Sequence, residues 1–142
     1  VHDNSRLVLE RIDRFATERI APAIYSAAAP LTLAAFEVPD EPVPFADAIG
    51  HEFTPFTVGT PWGKPWGTTW FHVTGHVPAD WAGEGRTVEV VIDLGFTLGQ
   101  PGFQAEGLIW APDGTIIKAI EPLNSYVPVD ASGQIDFFIE AA

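Results

Sequence analysis

Residues 5–20 carry one long helical period. Val8, Ile12, Phe15 and Ala16, with Leu9 and Ile20 flanking, fall on one apolar stripe. Asp3, Asn4 and Ser5 are candidate caps. Arg6/Glu10, Glu10/Arg14 and Arg14/Glu18 sit four apart and can pair on the wet face. Pro22 is expected to stop the helix. A single amphipathic helix cannot bury its own stripe. Residues 1–30 are therefore expected to be a helical arm that docks on a sheet or on a partner domain, and residues 31–142 a β-sandwich, the two making one folding unit overall.

After Pro30 the period shortens to two. Leu31, Leu33 and Ala35 alternate with Thr32, Ala34 and Phe36, which predicts a first strand. Pro39, Pro42 and Pro44 then predict extended chain, and Phe45 to Ile49 a helical turn closed by Gly50. Further strands are expected over 68–77, 87–94, 105–110, 115–120, 126–129 and 134–139. Asp113-Gly114, between two β-rich runs, predicts a hairpin. Short strands joined by turns and not by helices point to a mainly β fold. The expected architecture is an antiparallel β-sandwich with an N-terminal α-helix. Thirteen glycines and thirteen prolines agree with many turns and exclude a helical bundle.

The densest feature is Thr60-Pro-Trp-Gly-Lys-Pro-Trp-Gly-Thr-Thr-Trp-Phe-His-Val-Thr-Gly-His-Val-Pro78. It places three of the five tryptophans within nine residues and runs from a Pro/Gly loop into an alternating strand. Trp70, His72, Thr74 and His76 fall on one face; Phe71, Val73 and Val77 fall on the other, with Gly75 between them. Trp70 and Trp110, inside strands, are expected in a core. Large aromatics in loops are costly to leave in water. Trp62, Trp66, Trp81, Phe96 and Phe103 are thus candidates for an interface or for stacking on sugar rings.

Charge narrows the partners. Nineteen acidic against seven basic residues give a net −12. That balance argues against a nucleic-acid binder and against docking on anionic lipid. There is no cysteine, so disulfides, thiolate metal sites and cysteine nucleophiles are excluded. No apolar run approaches the ~20 residues of a membrane-spanning helix, and the first residues lack a secretion signal. The chain opens on Val1, and Phe137-Phe-Ile-Glu-Ala-Ala142 reads as a strand running off its end. A piece of something longer is the expectation.

Catalytic chemistry finds little purchase. His72 and His76 share a strand face but lie about 13 Å apart by strand rise, too far for one metal ion. His2 sits near the start and His51 in a loop. Asp93, Glu106, Glu121, Asp136 and Glu140 lie at or near strands, but nothing in their spacing selects a glycosidase pair. No serine stands in a Gly-x-Ser-x-Gly turn. Gly95-Phe-Thr-Leu-Gly-Gln-Pro-Gly102 lacks the Lys-Ser/Thr of a phosphate loop. No catalytic and no metal-binding residue is assigned.

The Trp-rich run resembles the N-terminal domain of the family 38 glycoside hydrolase α-mannosidases of cytosolic and vacuolar type. Val91-Ile-Asp-Leu-Gly-Phe96, Gly102-Phe-Gln-Ala-Glu-Gly-Leu-Ile-Trp-Ala-Pro-Asp-Gly114, the opening helix and Ala21-Pro-Ala-Ile-Tyr25 are similar too. A Trp-Phe strand followed by Val-Pro also occurs in galactose-binding-like jelly-roll domains of other glycosidases. The resemblance implies a jelly-roll sandwich ahead of a catalytic α/β-barrel domain in the same polypeptide, and a cytoplasmic location. It implies zinc and an Asp nucleophile in that barrel, acting on terminal α-mannosides of glycans in mannose metabolism. The family's His-x-Asp metal motif is absent here, so neither role transfers to this chain. The barrel is the expected partner; a homo-oligomer and a glycan are the others this reading admits.

Overall fold

The computed structural model describes residues 3–81, 87–96, 105–130 and 132–142. The chain divides into two compact units, Val1–Pro30 and Leu31–Ala142.

The first unit is helical. Helix α1 spans Ser5–Phe15, a π-helical turn spans Ala16–Ile20, and α2 spans Ala21–Ile24. Arg6 and Glu10 pair at 2.7 Å on the exposed face. No side chain of α1 is buried. Pro22 does not stop the helix, contrary to the sequence expectation. The Ala21 N–H reaches back five residues to the Ala16 carbonyl. This wide turn loosens the ladder just before the proline, which has no N–H to give. The helix then ends at Tyr25, which is extended.

Among the described residues the second unit has eight strands: β1 (Thr32–Glu37), β2 (Thr54–Phe56), β3 (Thr69–His76), β4 (Glu89–Val91), β5 (Gly107–Trp110), β6 (Ile116–Ile120), β7 (Tyr126–Pro128) and β8 (Gln134–Ala141). Six form one sheet in the order β2-β1-β3-β8-β5-β6; β4 and β7 form a second. Every pairing among them is antiparallel. The mainly β, antiparallel sandwich expected from the period-two pattern is therefore the observed fold. β2 was not anticipated, because Pro55 interrupts it. As an edge strand it pairs on one side only, where a missing N–H is tolerated.

Each face of the large sheet carries a buried cluster. On one, Phe71, Val73, Ile109, Ile120, Ile135, Phe137, Ile139 and Ala141 meet Val90, Ile92, Leu94 and Val127 of the small sheet and its flank. Gly107 lets β5, β6 and β8 close up there: an added Cβ would stand 3.0 Å from Ile120 Cγ1 and 3.2 Å from Ile139 Cγ2. On the other face Trp70 and Phe138 are covered by the 38–53 segment through Val38, Val43, Phe45, Ala48 and Phe53. Helix α3 (Phe45–Ala48) lies in that cover.

The β5–β6 hairpin turns at Asp113-Gly114, as the sequence predicts. Gly114 takes a φ of +84°, and the Asp113 carboxylate accepts the Thr115 N–H at 2.9 Å.

Candidate functional site

The alternation of β3 sends its side chains to opposite layers. Phe71 and Val73 enter the core between the sheets, while Trp70 and His72 face the 38–53 cover. Trp70 is fully buried, and its indole meets Phe45 edge-on with centroids 6.0 Å apart. Trp110 stacks on Phe45 at 5.2 Å. Its Nε1–H donates to Glu140 at 3.2 Å. His72 stacks on Phe138 at 4.3 Å and bonds Asp136 through Nε2 at 2.9 Å. His51 stacks on Phe36 at 4.2 Å.

Four of the five candidate acids hold local structure, and Glu106 is exposed. Asp136 holds His72 and Glu140 holds Trp110. They lie four residues apart on one strand, about 13 Å by strand rise, wider than a glycosidase carboxylate pair. Asp93 accepts the N–H groups of Gly95 and Phe96, fixing the turn after Leu94. Glu121 accepts the Leu123 N–H. Among the described residues no group of three His, Cys, Asp or Glu side chains could hold a metal ion.

Three carboxyls sit below the ordinary aspartate range. The Ser132 hydroxyl, then its N–H, holds Asp130 down. The Thr115 N–H, then its hydroxyl, does so for Asp113, and the Ser5 hydroxyl and N–H for Asp3. All three are exposed turn or cap residues.

The aromatic candidates separate by environment. Trp62 is half-buried: its ring stands edge-on to Phe71 at 5.4 Å, and Nε1–H donates to the Leu94 carbonyl at 3.2 Å. It packs against the core between the sheets and keeps part of its surface in water. Phe96 packs against the same core. Trp81 ends a short 3₁₀ turn, Ala79–Trp81, and is half-buried. Phe103 lies outside the described residues. Trp66 alone among the described tryptophans is fully exposed, at 104% of its reference area.

The family model for the alpha-mannosidase jelly roll domain, Ams1-like type, matches residues 29–142. The chain belongs to that family. The match begins just before β1 and takes in all eight strands, so the alpha-mannosidase jelly roll is the sandwich unit. A search of curated proteins gives no match. Among the described residues no helix is long and apolar enough to cross a membrane.

Proposed function

We propose that this jelly roll is the non-catalytic N-terminal domain of a family 38-type α-mannosidase and that it packs on the catalytic domain. One observation carries the reading. The matched domain uses Asp136, Glu140, the paired His72 and most of its described aromatics to hold itself together. Exposed apolar surface remains: Trp66, Leu123 and Val58 on this domain, and the stripe of α1 in the first unit. Such surface serves docking and not bond cleavage. The zinc, the nucleophile and the hydrolysis of terminal α-mannosides belong to the barrel domain in this reading, in the cytoplasm.

Turnover of a chromogenic α-mannoside tests it. The complete polypeptide should hydrolyse the substrate, the 142-residue chain should not, and removing residues 31–142 should lower the activity or the melting temperature of what is left. Turnover by the chain alone would overturn the proposal.

A further inference from the structure

The Trp loop is tied down on both sides of one residue. Trp62 is locked to Phe71 and Leu94. The Lys64 ammonium donates to the Pro39 carbonyl. Its stem lies over Gly67, where an added Cβ would come within 2.7 Å of Lys64 Cγ. The Gly67 N–H donates to the Lys64 carbonyl at 2.9 Å, closing the turn Lys64-Pro65-Trp66-Gly67. Thr68 is buried and accepts the Val38 N–H.

Trp66 stands out from this frame with a φ of +64°, the only positive φ among the described non-glycine residues. A turn with proline second and a left-handed third residue ordinarily takes glycine at that third place. A bulky side chain there is an outlier that costs stability. The chain nevertheless holds its largest side-chain type in that conformation, with the whole indole in water.

We infer that Trp66 is a preformed anchor that inserts into an apolar pocket on the remainder of the same mannosidase polypeptide. This rests on the docking proposed above and names the residue that performs it. Three observations select that occupant. A sugar platform needs polar groups converging around the ring. The neighbours along the loop are Pro61, Gly63, Pro65 and Gly67, and Lys64 is engaged by Pro39. A second copy is disfavoured by charge: residues 1–30 hold four acidic and four basic side chains, so the entire −12 lies on 31–142, and two such units repel. A rigidly held tryptophan is the kind of residue that dominates binding energy at the centre of a protein interface. Fixing it before contact removes part of the ordering cost.

Acrylamide quenching of tryptophan emission tests the anchor, comparing wild type with Trp66→Phe in two settings. In the 142-residue chain, wild type should show a readily quenched component that Trp66→Phe lacks. In the complete polypeptide the two should quench alike, because the indole is covered. Trp66→Gly should raise the urea midpoint of the chain, yet weaken protection of residues 60–68 from hydrogen exchange in the complete polypeptide. A quenchable Trp66 in the complete polypeptide, with other parts of 31–142 gaining exchange protection there, overturns the anchor and leaves domain docking standing. Identical exchange across 31–142 in both settings overturns docking itself. Protection of Trp66 brought on by mannobiose, or by raising the concentration of the chain alone, also overturns the anchor, in favour of a sugar or a second copy.

Discussion

At Trp66 backbone and side chain make opposing demands. The left-handed conformation favours glycine, while exposure of an indole favours almost any polar residue. Trp66→Gly should therefore stabilise the 142-residue chain by about 1 kcal/mol, relief of strain outweighing the added freedom of the unfolded chain. A rise in urea midpoint with unchanged slope is the expected result. Sequence alone does not separate this residue from its neighbour. Pro61-Trp62-Gly63 and Pro65-Trp66-Gly67 are the same tripeptide. Only the approach of Phe71 and the Leu94 carbonyl, brought from elsewhere in the chain, draws Trp62 inside. The turn aspartates act at the same scale. Asp113 and Asp130 are lowered in the folded state by hydrogen bonds from Thr115 and Ser132. A lowered folded pKa stabilises above the unfolded value, about 3.9, and that contribution fades as pH falls through the folded value. Asp113→Ala should thus lie below wild type in urea midpoint at pH 7, and the gap should narrow in titrations carried below pH 4.

Strands were legible where alternation was long. β3 and β8 were read almost to their ends, because eight residues of inside-outside pattern leave one register that buries Phe71, Val73, Phe137 and Ile139 together. The short elements were not. Expected strand 87–94 contracts to Glu89–Val91, since the Asp93 carboxylate takes the Gly95 and Phe96 N–H groups and bends the chain away. The π turn before Pro22 has no sequence signature that periodicity detects. Nor did alternation reveal that the 38–53 segment would roof the second face, though its apolar residues Val38, Val43, Phe45 and Phe53 were in view. Where β5 passes between β6 and β8, spacing is set by a missing side chain. Gly107→Ala forces its new methyl against Ile120 and Ile139, and the cost should be about 1 kcal/mol, read from the urea midpoint. Ile109→Ala, fully buried on the same strand, should cost about 2–5 kcal/mol by the cavity it leaves.

For the molecule as a whole, each face of the large sheet carries a packed cluster, while Ile116 and Ile117 of β6 stay exposed. The small sheet packs on one side, and the 38–53 segment covers Trp70 and Phe138 on the other. Sugar-binding sandwiches need a concave face or loop cluster where aromatic platforms and hydrogen-bonding groups converge. Here Trp62 and Phe96 are turned inward, Trp70 is wholly enclosed, and Trp110 is clamped between Phe45 and Glu140. The resemblance to glycosidase modules read in the sequence concerned the framework that positions such aromatics. Which of them would reach solvent depended on contacts between residues far apart along the chain. Titration of the 142-residue chain with mannose or mannobiose, followed by tryptophan emission, should accordingly show no saturable change. The aromatic best able to report binding is Trp66, so Trp66→Ala supplies the control. A saturable signal in wild type that vanishes in Trp66→Ala would establish a binding module. A signal that survives the substitution would relocate the sugar to Trp81 or to residues outside the described segments. A flat titration leaves the domain's one fully exposed indole available for a protein surface, where its large apolar area can be buried.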